Sequence, residues 1–136
     1  MTLAYWNRVG GLLLEEFCAV PRSRECGGRW MDGVIVHGRE NRRAKKGEVV
    51  DLVGASITVV QAKARRLNMP LMGQAFFSVK LMEPFRPVAI HSVALCLQDD
   101  PILRPLIEAY PGFEVVVLSE AEISAAADLL PDGNHI

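Results

Sequence analysis

Ile57-Thr58-Val59-Val60-Gln61-Ala62-Lys63-Ala64 decides the reading of this 136-residue chain. Four β-branched residues in succession suit a buried strand, and Gln61 and Lys63, two positions apart, fall on one face of it. The stretch from Leu67 to Met82 reads as a helix, so an amide and an ammonium stand where a strand delivers the chain into a helix. α/β domains commonly place their sites at such strand ends. A strand end with a solvated lysine is the plainer alternative, and the rest of the chain must separate the two.

Upstream, Arg29 to His37 reads as a strand built on Val34-Ile35-Val36, with Asp32 near its start. If it runs antiparallel beside residues 56–63 with His37 opposite Ser56, paired positions sum to about 93 or 95. Asp32 then lies across from Gln61 or Lys63, within reach of one cation, while Asp51 falls at the far end of the strand. Ala4 to Ala19 reads as a helix whose apolar face gathers Tyr5, Val9, Leu12, Leu13, Phe17 and Val20. Glu16 falls within that face, where an acid needs a partner or a metal. Glu15 falls outside it and can pair with Arg8. Gly10 and Gly11 weaken the helix and imply close approach to a neighbour.

Val20 to Gly28 is a loop. Gly38 to Gly47 is expected to be an exposed, mobile connection carrying Arg39, Arg42, Arg43, Lys45 and Lys46, and Glu48 to Val53 a short edge strand. The helix after the central strand has a broad apolar surface with Gln74 in its middle, whose amide needs partners if buried. Val88 to Leu97 reads as an interior strand in which His91 is a hydrogen-bonded residue of the strand face. A short helix from Asp99 to Tyr110, a strand from Phe113 to Leu118, and a helix from a Ser119 cap to Leu130 follow. A polar tail, Pro131 to Ile136, closes the chain. The expected architecture is one domain over residues 1–136, an α/β sandwich with a mixed central β-sheet flanked by helices.

Half the residues are apolar, but no run is long enough to span a membrane, and the first residues lack the features of a signal peptide. Cys18, Cys26 and Cys96 are scattered without ligand spacing, which predicts reduced thiols, a cytoplasmic protein and no zinc site. The net charge of −1 conceals an asymmetry: Arg22 to Arg66 holds eleven of the fifteen Lys and Arg against five acids, a net +6, leaving −7 elsewhere. One side of the protein is therefore expected to be basic and to suit a phosphate partner.

An acid in the first helix, Asp32 on a strand, Gln61-x-Lys63 at the end of the next and Gln74 in the following helix together resemble the PD-(D/E)xK nuclease superfamily. The Gln-x-Lys spelling is similar to that of Mrr-type restriction endonucleases. The resemblance covers about residues 5 to 97 and implies a restriction-endonuclease-like sandwich that hydrolyses phosphodiesters of DNA, or of RNA, with Mg2+ or Mn2+. It implies Asp32 as the principal metal ligand, helped by Glu16, the Ala62 carbonyl and the neutral oxygen of Gln61, so that Gln61→Glu would tighten magnesium. Lys63 would orient water or stabilise developing charge. Gln74, Arg65 and Arg66 would position phosphate, and Arg42, Arg43, Lys45 and Lys46 would track a nucleic-acid backbone. Specificity would lie in loops or a partner protein, and cutting both strands of a duplex is simplest for a homodimer.

Two other readings fit the same residues. One keeps the fold with a decayed site, as a nucleic-acid or protein binding module, and rests on Gln61 and the acidic total. The other is an unrelated small α/β protein that associates through Ile123, Leu129 and Leu130 of the last helix.

Overall fold

Gly10 and Gly11, at φ 74° and 100°, end the first helix and turn the chain into a strand. In the computed structural model, which describes residues 1–129, helix α1 is Thr2–Val9 and strand β1 is Leu12–Val20. The single helix expected over residues 4–19 is thus corrected to a helix and a strand, and Glu16 moves from a helix face to a strand. The close approach that the glycines imply is real: a Cβ on Gly11 would stand 2.7 Å from Ile35 Cγ2 and 3.1 Å from the Val36 carbonyl.

Strand β2 is Arg29–Val36, β3 is only Arg42–Arg43, and β4 is Ser56–Ala62. Residues 48–53 form no strand, a second correction. Helix α2, Met69–Met82, starts on an Asn68 side chain that accepts from the Leu71 N–H, with Pro70 in its first turn. A 3-10 turn, Glu83–Phe85, closes it. Then come β5 (Ala89–Cys96), α3 (Leu103–Glu108), β6 (Phe113–Val117) and α4 (Glu120–Leu129). Ser119 Oγ accepts from the Glu122 N–H at the start of α4, as the capping pattern predicts. Leu130 and the tail at 131–136 lie outside the described residues.

The six strands form one mixed sheet in the order β3-β1-β2-β4-β5-β6. β1, β2 and β4 are antiparallel neighbours, and β5 and β6 continue in parallel through α2 and α3. The β2–β4 pairs, Gly33 with Val60 through Val36 with Ile57, keep the anticipated sum of 93. On one face, Tyr5 of α1 and Ala126 of α4 pack with Leu13, Ile35, Val60, Val93, Leu95 and Val116. On the other, α2, α3 and the chain at 44–55 cover two clusters, one around Leu14, Val34, Val59 and Met82 and one around Leu71, Ala94, Ile107 and Val115. The sheet is therefore a middle layer between helices.

Two neighbouring strands slip phase at the same place. On β1, Leu12 and Leu14 pack toward α2, and so do Phe17 and Ala19. Period two cannot connect Leu14 to Phe17, so residues 15 and 16 both fall on the α1 side. Glu16 absorbs the slip with a left-handed backbone, φ 50°. On β2, Met31, Val34 and Val36 pack toward α2, which leaves Asp32 and Gly33 together on the α1 side. The ladder pairs Glu15 with Gly33 and Phe17 with Met31 but skips Glu16 and Asp32. The register is the same on both sides of this break, so no residue is inserted: one unpaired residue on each strand turns its side chain out of alternation, and the bulge of this hairpin lies farther on, between Cys18 and Val20.

Candidate active site

The break in alternation delivers Glu16 and Asp32 to one pocket. Met1, Thr2 and Leu3 of α1, Glu15 and Glu16 of β1, Asp32 of β2 and Ala62 of β4 line a pocket of about 400 Å³ open to solvent. β2 and β4 stop pairing after Gly33 and Val60. Just beyond these rungs the Asp32 carboxylate accepts the Ala62 N–H at 2.8 Å, side chain replacing backbone. Glu15 is neutralised by Arg43, whose Nη2 lies 2.8 Å from its carboxylate. This corrects the pairing expected with Arg8, which instead meets Glu122 of α4. The side chain of Glu16 has no hydrogen-bond partner among the described residues.

This donor set suits one kind of metal. Among the described residues no three Asp, Glu, His or Cys gather closely enough to form a closed metal cage. Two carboxylates at an open pocket, Asp32 and Glu16, are what magnesium needs when it keeps several waters. They do not suit a dehydrated, four-coordinate zinc site.

Gln61 is not in the pocket. It is 7 % exposed and lies on the α2 side, where its amide donates to Ser78 Oγ at 2.9 Å and approaches the Met31 sulfur at 3.4 Å. Ser78 passes the bond on to the Gln74 carbonyl at 2.6 Å. A core bond thus occupies the residue expected to be a ligand. Lys63 directly follows the strand, its N–H bonded to the Leu95 carbonyl, and its side chain is exposed and free of ion pairs among the described residues. Gln74 is exposed rather than buried.

The expected basic tract divides in two. Arg42 is clasped by Glu48 and Glu40, and Arg43 by Glu15. Arg42 and the Lys45 N–H hold the Glu48 carboxyl down to about 2. Asn41 Oδ1 binds the Gly11 N–H, and the Arg42 and Ala44 N–H groups bond to Gly11 and Leu13 of β1. The connection expected to be mobile is therefore tied to the sheet edge, with Arg39, Lys45 and Lys46 left as its exposed cations. Arg65 and Arg66 are exposed while their backbone groups bond to Leu97 and bridge to Gln98.

Three arginines escape a reading centred on Lys63. Arg22, Arg24 and Arg29 are exposed on the β1–β2 hairpin, at the same end of the sheet as Asp32 and Lys63. Their signal lies in the charge asymmetry, which counts them without placing them. Glu15, set aside in the sequence as a surface acid, belongs to the pocket because residues 12–20 form a strand, whose ordinary alternation puts it on the same face as Leu13.

Fold and site together define an α/β protein with an acidic pocket at a strand fork and exposed cations at the same end of the sheet. Compared with protein-family models, curated proteins and solved structures, the chain matches none. No helix among the described residues is long and apolar enough to cross a membrane.

Proposed function

We propose that this chain is a metal-dependent nuclease of the restriction-endonuclease-like kind, hydrolysing phosphodiester bonds of DNA with magnesium. The observation that carries the reading is the paired break in alternation, which brings Glu16 and Asp32 to one pocket at the point where β2 and β4 part. A non-glycine residue in left-handed backbone costs about 1–2 kcal/mol, and such strain concentrates at functional sites. The order of helix, antiparallel strands, helix and parallel strand, with Lys63 just past the fork, agrees with the resemblance in the sequence.

Asp32 and Glu16 would hold the cation, with Ala62 bordering it. A bound divalent cation polarises the phosphate and lowers the pKa of a coordinated water. Asp32 is oriented for its part by the Ala62 N–H, which fixes one carboxylate oxygen and leaves the other without a hydrogen bond among the described residues. Glu15 is held back by Arg43 and adds little net charge. Lys63 supplies a positive charge for the phosphate oxygens. Arg65 and Arg66, on the segment that follows, anchor neighbouring phosphates.

The test is cleavage of supercoiled plasmid and of single-stranded DNA with magnesium, manganese or EDTA, with Lys63→Ala and Asp32→Asn beside the wild type. Metal-dependent cutting lost in both variants is expected. Cutting that persists in EDTA or in both variants overturns the reading. A second reading, a nuclease-like fold that only binds, is favoured by one observation, the commitment of Gln61 to Ser78. It predicts nucleic-acid binding without cutting.

A further inference from the structure

Trp30 is 58 % exposed although indole is among the most costly groups to leave in water. It stands opposite Cys18 on the β1–β2 hairpin. Its neighbour Met31 packs toward α2, so Trp30 and Asp32, on either side of Met31, share the α1 face, and Trp30 stands two residues from a residue that lines the acidic pocket. The ring is seated: a Cβ on Gly28 would lie 3.0 Å from Trp30 Nε1 and 3.4 Å from the Val20 carbonyl, so the absent side chain makes room for it. The hairpin tip is a built turn, with the Ser23 N–H bonded to the Cys26 carbonyl and Ser23 Oγ to the Cys26 N–H.

The surroundings choose the ligand. Arg22, Arg24, Arg29, Lys63, Arg65 and Arg66 lie at this end of the sheet, and none has an ion pair among the described residues. A protein-docking face would join its exposed aromatic to a contiguous apolar patch. Here the aromatic stands among cations, the combination that binds single-stranded nucleic acid by stacking a base and tracking its phosphates. In a paired duplex the base faces are covered by their neighbours.

We propose that Trp30 is a stacking platform for an unpaired nucleobase beside the pocket, which makes single-stranded nucleic acid the preferred substrate class. This rests on the nuclease reading for its consequence but not for its test. Binding of a twelve-nucleotide oligothymidylate and of a blunt duplex of equal length is measured in EDTA, where nothing is cut, by indole fluorescence and by anisotropy of a labelled strand. The single strand is expected to quench the fluorescence and bind more tightly than the duplex. Trp30→Ala should weaken single-strand binding roughly ten-fold or more without changing its salt dependence, because no phosphate contact is lost. Trp30→Phe should keep most of the affinity and lose the quenching. Because Trp30 lies outside the core, both variants should keep the wild-type circular dichroism. Equal affinity for duplex and single strand, Trp30→Ala binding like the wild type, or no binding of either oligonucleotide overturns the proposal. Binding as expected without magnesium-dependent cutting overturns the nuclease reading alone.

Discussion

The Asp32 carboxylate accepts the backbone N–H of Ala62 at 2.8 Å, just beyond the last paired rung of β2 and β4, one residue past Gly33 on β2 and two past Val60 on β4. Without that bond the Ala62 donor would face the opening between the strands with no partner from β2. The aspartate, which lines the pocket, therefore finishes the sheet on one oxygen and leaves the other without a hydrogen bond among the described residues. Asp32→Asn keeps the size of the side chain and removes the charge. Stability should change by no more than about 1 kcal/mol in urea, while magnesium-dependent cutting should fall on the order of a hundredfold or more. Equal losses of folding and cutting would reduce Asp32 to a structural part.

Glu16→Gly separates strain from chemistry. Glycine tolerates φ 50° at no steric cost, so the variant should be as stable as the wild type or more stable by up to about 1 kcal/mol. Its cutting should nevertheless drop and its magnesium requirement rise. A variant that cuts normally would remove Glu16 from the cation's neighbourhood.

Gln61→Glu, which the sequence suggests would tighten magnesium, should instead destabilise. The Gln61 amide is buried against Ser78 Oγ, Met31 and the Trp30 carbonyl. A carboxylate there loses its donors and meets the Trp30 carbonyl oxygen, at a cost of about 2–3 kcal/mol. Burial raises a carboxyl pKa, so the deficit should be smallest in acid, where the group is protonated. It should grow as pH rises above the unfolded value near 4.3. Denaturation at pH 4 and pH 8 checks this, and tighter magnesium without loss of stability would return residue 61 to the pocket.

The Arg42–Glu48 clasp sets a titration. Glu48 is held from 4.5 down to about 2. Its folded value is depressed, so the clasp is fully present above 4.5 and is lost as pH falls toward about 2. The Glu48 side-chain carbon resonance should have its midpoint near the lower value in the wild type, and Arg42→Gln should return it toward 4.5. An unchanged midpoint would mean that the two side chains do not meet in solution.

The part of the fold that follows hydrophobic runs is legible in the chain. Val34-Ile35-Val36 and Ile57-Thr58-Val59-Val60 can pair in only one register without turning core residues outward, and the sum of 93 holds. Leu12-Leu13-Leu14 fits both a helix and a strand, and the decision rests on the turn at Gly10 and Gly11 against Ile35, a contact 24 residues distant from Gly11. The two-residue β3 carries no apolar signal because its pairing rests on backbone bonds to β1. The site is less legible than the fold for one reason. Had β2 kept its alternation, Asp32 would face α2 on the same side as Gln61, as the sequence suggests. The paired break in alternation moves Asp32 to the other face, and on β1 it falls at a left-handed glutamate, a conformation that composition disfavours.

Met1 lines the same pocket as Glu16 and Asp32. Residues joined ahead of it would emerge at the rim, directly over the place where a phosphate would enter. An affinity handle fused there would hang across the mouth, and a polyhistidine one would offer imidazoles to any divalent ion brought to it. Inactivity of such a fusion would describe the fusion, so a handle is better placed away from Met1.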